Sequence, residues 1–296
     1  MIEVILLGRG GVMPLAERGL TSLYLRYNGK AILIDCGEAT QIELRKNKAK
    51  YSEIDAILFT HLHADHICGI TGFLLTLGLE GRTAPLRIYG PRGIGWAIST
   101  LTAVGPALTY PLEIIELSDE TEFSEIGLRL NAFPLLHSVD CFGYRMELPR
   151  LPRFDPERAK ALGIPVRLWK ILQRGESAEG FEPADVTGGE RKGLSVLYVT
   201  DTRPVEAISR YGAGVDLMVL EGMYGEADGA EKAAETTHMT MQEAARIAAE
   251  CGCGELWLTH YSPSVKDPLE YEAEIKGIFA NTEMGETPIS CVLKFE

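Results

Sequence analysis

Thr60-His61-Leu62-His63-Ala64-Asp65-His66 places four potential cation ligands within six residues, directly after the apolar run Ala56–Thr60. His61 and His63 stand two apart, so an extended backbone turns both to the same side. Asp65 and His66 follow as the chain bends into a helix, where they can aim at a second, neighbouring point. Imidazole with carboxylate is the donor set of zinc, with manganese or iron as alternatives, and these four can serve two adjacent divalent ions.

The chain has six histidines, and half of them lie in this cluster. His137 follows the strand-like run Leu128–Phe133, His260 follows Glu255–Leu258, and Asp201 follows Ser195–Val199. A lone histidine at a strand end is ordinarily a structural residue. Beside a clear cluster, three polar groups that each end an apolar strand read as further ligands. The resulting assignment gives His61, His63, His137 and Asp201 to one ion. Asp65, His66, His260 and Asp201 hold the other, with Asp201 as the bridge. Two ions ~3.5–4 Å apart can share a hydroxide and clamp a phosphate oxygen at neutral pH.

His238 is left over. It sits two residues ahead of Thr240, which forms a capping-box pattern with Glu243. A loop or cap role is the plain reading; beside a complete ligand set, a proton donor to a leaving alkoxide is the functional one. Glu221, closing the run Val215–Leu220, is placed to orient that imidazole. Asp35, closing Ala31–Asp35, reads as support behind the ligands.

The elements that must carry these groups are apolar strands and short helices. Strands are expected at Glu3–Gly8, Ser22–Tyr27, Ala31–Asp35, Ala56–Thr60 and Leu86–Tyr89, with helices over Ala39–Lys48 and Ile67–Leu79. Strands dominate Leu112–Glu147. The last third alternates strand Ser195–Val199, helix Pro204–Tyr211, strand Val215–Leu220, helix Thr240–Cys251, strand Glu255–Leu258, helix Pro268–Phe279 and strand Ser290–Phe295. That order predicts an α/β fold of two sheets packed face to face with helices outside, as a single domain over 1–296. Residues 148–193, rich in Pro, Gly and charge, read as an irregular insertion or arm.

The chain has 296 residues, 46% of them apolar, which is ample for one large core. No apolar run is long enough to span a membrane. The opening Met1–Gly8 lacks a basic, cleavable leader and reads as a buried strand, which predicts a cytoplasmic protein. Six cysteines without framework spacing are expected to be reduced and buried. The net charge of −13 speaks against general nucleic-acid binding, but residues 150–174 carry +5, leaving −18 for the rest. Arg167, Lys170 and Arg174, with Phe154 and Trp169 among the basic residues, form a candidate RNA contact; a solvated helix face is the alternative.

The H-x-H-x-D-H pattern at 61–66, with His137, Asp201 and His260, resembles the metallo-β-lactamase superfamily. Within it the chain resembles the ribonuclease Z (tRNase Z) family. The stretches that carry this are Ile34–Gln41, His61–Gly69 with Gly72-Phe73-Leu74-Leu75, Pro85–Pro91, and Phe154–Gly163 with Gln173–Ser177. Further on they are Asp201-Thr202-Arg203-Pro204, His238 with Thr240, and Thr259–Pro263. The resemblance implies an αββα sandwich, a dizinc site, a homodimer and cleavage of precursor tRNA. It implies that Asp65 is both ligand and part of the acid–base machinery, and that His238 is the catalytic histidine. Departures fall on substrate-contact positions: Pro14–Gly19 lacks the family's lysine and asparagine, Val166 follows Pro165 in the arm, and Ser264-Val265 replaces a basic-aromatic pair. These departures keep a second reading open, a hydrolase of the same fold acting on a small phosphodiester.

Overall fold

The computed structural model describes residues 1–189, 191–285 and 288–295, with Asp228 described by its backbone alone. The first strands are β1 (Ile2–Gly8), β2 (Ser22–Tyr27), β3 (Lys30–Ile34), β4 (Ile54–Leu58), β5 (Leu86–Pro91) and β6 (Leu112–Leu117). Then come β7 (Thr121–Glu125), β8 (Leu128–Pro134), β9 (Phe142–Arg150), β10 (Arg191–Val199), β11 (Leu217–Glu221), β12 (Glu255–Thr259), β13 (Thr282–Glu283) and β14 (Ile289–Leu293). Among the described residues they form two seven-stranded sheets, ordered β14-β1-β2-β3-β4-β5-β6 and β13-β12-β11-β10-β9-β8-β7.

Side-chain alternation divides the apolar residues between two layers. Ile2, Val4 and Leu6 of β1, and Leu194, Val196 and Tyr198 of β10, point into the core between the sheets. Ile5 and Leu7 point outward, beneath helices α1 (Thr40–Lys46), α2 (Ala64–Ile67), α3 (Ile70–Leu79) and α4 (Ile94–Thr102). The outer face of the second sheet packs on α7 (Glu206–Gly212), α9 (Met241–Cys251) and α10 (Glu272–Ile278); α5 (Pro156–Ala161) and α6 (Val166–Gln173) precede α7, and α8 (Glu226–Glu235) lies between α7 and α9. The expected helix–sheet–sheet–helix sandwich is therefore the observed one. Trp257 lies wholly buried in its central core, with its indole N–H donating to Glu255 Oε1 at 2.7 Å.

Strand direction decides where function can sit. β3, β4, β5 and β6 run parallel, as do β10, β11, β12 and β13, while β8 is antiparallel to β9 and β9 to β10. The carboxyl ends of β3, β4, β8, β10, β11 and β12 thus carry the candidate residues, the usual place for a site in α/β sheets.

Several expectations are corrected. The helix expected over Ile67–Leu79 is two, α2 and α3, broken at Cys68-Gly69. The Gly69 N–H donates to Cys36 O, and a Cβ on Gly69 would meet Gly37 O at 2.0 Å, so the two loops touch through bare backbone. Pro268–Phe279 likewise splits into a 3-10 turn and α10. Helices α4 and α8 were not expected. Cys36, Cys141 and Cys253 are buried, but Cys68 is exposed and Cys251 and Cys291 half-buried.

The arm is the largest correction. Strands β9 and β10 extend into its ends, and residues between them hold α5, α6 and a small core of Ala159, Ile164, Leu168, Leu172 and Val186. Phe154 and Trp169 pack on each other, ring centroids 5.3 Å apart, and Trp169 Nε1 donates to Ile164 O. The arm is folded, and those two rings, half-buried, pack against its core.

Candidate metal centre

The backbone at the strand ends is bent to deliver side chains. Asp35 after β3, Asp201 after β10 and His260 after β12 have φ of 60°, 54° and 58°. Non-glycine residues rarely accept this left-handed region, and clusters of them mark functional sites. Each bend swings a polar side chain out of its strand into one common space.

His61 Nε2 lies 3.0 Å from His63 Nδ1, and His137 Nε2 lies 3.3 Å from the same nitrogen. Asp201 Oδ1 is 3.7 Å from His61 Nε2 and 3.9 Å from His137 Nε2. On the other side, His66 Nε2 and His260 Nε2 are 3.2 Å apart, and Asp65 Oδ2 is 3.5 and 3.4 Å from them. Asp201 reaches this group too, 3.3 Å from His66 Nε2 through Oδ2 and 3.3 Å from His260 Nε2 through Oδ1. The donor atoms of His61, His63, His137 and Asp201 all lie within 4.8 Å of one another, as do those of Asp65, His66 and His260. Imidazole nitrogens at this separation fit a shared cation, since a tetrahedron on zinc–nitrogen bonds of ~2.0–2.1 Å has edges of about 3.3 Å.

Protonation agrees with that donor set. Burial, then the neighbouring His66, pushes the His61 pKa well below its ordinary value. His137 is pushed down to about 4, chiefly by burial. Burial works against ionising Asp65, yet hydrogen bonds from His260 and His66 hold it far below the usual carboxylate range. Asp201 is held low in the same way by His260, His66 and His61, against its own burial. Neutral imidazoles and ionised carboxylates are the forms that bind metal. His66 goes the other way, because Asp201 and Asp35 outweigh its burial. Those two carboxylates make its side of the cluster the more negative one.

The supports are equally specific. Asp35, wholly buried, accepts from Thr60 N at 2.8 Å and lies 2.9 Å from His66 Nδ1, leaving His66 Nε2 toward the cluster. Thr60 Oγ1 lies 3.0 Å from His61 Nδ1. The Val12 N–H donates to Asp65 Oδ2 at 2.7 Å. A Cβ on Gly11 would sit 2.6 Å from His260 Cε1, so the His260 ring rests directly on that glycine.

His238 stands beside the ligand groups. Its Nδ1 is 2.9 Å from Glu221 Oε2 and 3.9 Å from Asp201 Oδ1. Sequence reasoning missed what holds it there. Arg203 donates to the His238 carbonyl and forms a double ion pair with Glu243, which also closes the capping box of α9 with Thr240. The Thr240/Glu243 pattern was visible; its link to Arg203 depends on a contact across the fold. Arg167, Lys170 and Arg174 lie exposed on α6 and its C-terminal cap, and Arg167 is paired with Glu179 at 2.7 Å.

A family model described as a beta-lactamase superfamily domain matches residues 30–261. The chain is 45% identical over 302 residues to ribonuclease Z of Lachnospira eligens, covering 100% of this chain and 99% of that protein. It is 41% identical over 307 residues to ribonuclease Z of Clostridium acetobutylicum, covering 100% and 99%. The crystal structure of the short form of human tRNase Z superposes with a TM-score of 0.72 at 23% identity, covering 99% of this chain and 100% of that one, a likeness of fold.

Proposed function

The chain belongs to the ribonuclease Z family of the β-lactamase superfamily, and from that we propose that it is an endoribonuclease that trims the 3′ end of precursor tRNA. The observation that carries this reading is two adjoining His/Asp donor groups that both approach Asp201, with His238 paired to Glu221 and within 4.8 Å of Asp201 and His260 donor atoms. In this reading His61, His63 and His137 hold one divalent ion and Asp65, His66 and His260 the other, with Asp201 between them. Zinc is our assignment, with manganese and iron as alternatives of the same donor set. When bound, two such ions supply charge to the phosphate and make water acidic enough to attack at neutral pH.

The chain's own groups then divide the proton work. Water adds at phosphorus, the P–O3′ bond breaks, and His238 gives its proton to the departing 3′ oxygen. The products are a 3′-hydroxyl and a 5′-phosphate. Glu221 holds the imidazolium in place, and Asp65 takes part in acid–base chemistry beside its ligand role. Arg167, Lys170 and Arg174 meet the RNA backbone through charge, while Phe154 and Trp169 pack half-buried against the arm's core.

A homodimer completes the proposal. Leu79 at the end of α3, Trp96 in α4 and Val104 just past it are exposed at 88%, 74% and 86%, apolar side chains of the kind a partner buries. No helix among the described residues is long and apolar enough to cross a membrane. A cytoplasmic location is part of the same reading.

Parallel incubation with precursor tRNA and with bis-p-nitrophenyl phosphate tests the function. The expected result is cleavage of both, with a single cut in the precursor. Turnover of the small ester with no cut in precursor tRNA would sink this proposal in favour of a small-molecule phosphodiesterase.

A further inference from the structure

Three β-branched residues have a left-handed backbone among the described residues: Val12 at φ 70°, Ile126 at 50° and Thr237 at 61°. Ile126 is explained by its turn, the two-residue link between β7 and β8 that it forms with Gly127. The other two both touch the metal centre. Val12 donates its N–H to Asp65, and Thr237 meets His137.

Thr237 sits where a helix ends. The His238 N–H donates to Ala233 O at 2.8 Å and the Thr237 N–H to Ala234 O at 3.3 Å, past the end of α8. This is the Schellman pairing, whose left-handed residue is usually glycine because a Cβ is unwelcome there. Threonine in that place needs a reason, and its hydroxyl gives one. Thr237 Oγ1 donates to Thr236 O at 2.6 Å, so toward His137 Nδ1, 2.9 Å away, it can only accept. Thr237 O, 3.2 Å from the same nitrogen, is a second acceptor. Two acceptors place the proton on Nδ1 and leave His137 Nε2 bare, on the side facing His63 and Asp201.

We propose that Thr237 is a positioning residue that accepts helix-cap strain in order to fix the metal-binding tautomer of His137. One turn then sets two groups, His137 through the threonine side chain and His238 as the next residue of the same cap. The inference rests on the reading of His137 as a ligand.

Zinc affinity by competition with a chromogenic chelator, and thermal melting of the metal-free protein, test it in four variants. Thr237→Val keeps the branching and loses the hydroxyl, so zinc affinity should fall about tenfold with no gain in Tm. That is the low end for loss of such a support, because the Thr237 carbonyl remains. Thr237→Gly should lose affinity similarly while its metal-free form melts a few degrees higher than that of Thr237→Val. Thr237→Ser should bind zinc like the parent. Parental affinity in Thr237→Val overturns the role of the hydroxyl, and a glycine variant that melts no higher overturns the strain. His137→Ala separates the two readings: if it binds zinc as tightly as the parent, the ligand assignment of His137 has failed instead.

Discussion

Glu221 Oε2 lies 2.9 Å from His238 Nδ1, while Oε1 of the same carboxylate accepts the Thr202 backbone N–H. It is also 4.0 Å from His260 Nδ1, so one wholly buried carboxylate stands behind two imidazoles. The backbone bond ties Glu221 to the residue after Asp201. The His238–Glu221 pair and Asp201 are therefore held together through one buried carboxylate and one backbone bond.

A pH profile follows from that pair. Burial alone would push the His238 pKa down, but the charge and hydrogen bond of Glu221, helped by Asp201 and Asp65, raise it to about 9. A raised pKa means that the imidazolium is kept below that value and lost as pH rises through it. Glu221→Gln removes the charge and keeps the shape, so the descending alkaline limb of kcat/KM on precursor tRNA should move to lower pH. A limb that stays put would show that another group delivers the proton.

His238→Ala should separate substrates by leaving group. An RNA 3′ alkoxide needs a proton, whereas p-nitrophenolate leaves without one. Loss of a general acid costs ~10²–10⁴-fold, and that loss is expected on precursor tRNA, with a far smaller one on bis-p-nitrophenyl phosphate and unchanged metal content. Equal losses on both would place His238 in metal or substrate binding.

How much of this was open to sequence reasoning depends on the range of the forces involved. Strand ends are legible because continuous apolar runs stop just before His61, Asp201 and His260, and such runs are a local signal. Helix α4 was missed because Gly93 and Gly95 flank Ile94, and glycine mid-pattern reads as loop. The arm's core was missed because Leu168 and Leu172 face inward from a segment whose Pro, Gly and charge dominate its composition. Thr237 was invisible because its cap exists only once α8, an Ala- and Glu-rich helix without an apolar stripe to announce it, has formed. Arg203 on the His238 carbonyl joins residues from two loops, and no local pattern encodes such a contact.

Metal removal should act on stability as well as activity. Asp65, Asp201 and the surrounding imidazoles crowd donor atoms that a cation would reconcile. A ligand that binds only the folded state adds about 2.7 kcal/mol when present at a hundredfold over its Kd. Chelation should therefore abolish cleavage of both substrates and lower Tm by several degrees, and zinc should restore both. Metal analysis is expected to give two ions per chain, and Asp201→Asn should lower both occupancies because this carboxylate reaches each group. Loss of one ion alone in that variant would refute the bridge.

The arm offers the cleanest separation of binding from chemistry. Arg167, Lys170 and Arg174 share an exposed face remote from any hydrogen bond to the donor groups, and Leu168 and Leu172 on the opposite face hold the arm's core. Reversing the three charges leaves those apolar residues in place, so the arm should still fold. If they meet phosphates, KM for precursor tRNA should rise while turnover of bis-p-nitrophenyl phosphate is spared. The salt dependence should flatten as well, by a slope of ~0.7–0.9 for each phosphate that the protein no longer neutralises. Arg167 already shares its charge with Glu179, so Lys170 and Arg174 should account for most of the effect. An equal fall in both activities would mean that the substitutions act through the fold, and the arm would then have no part in holding RNA.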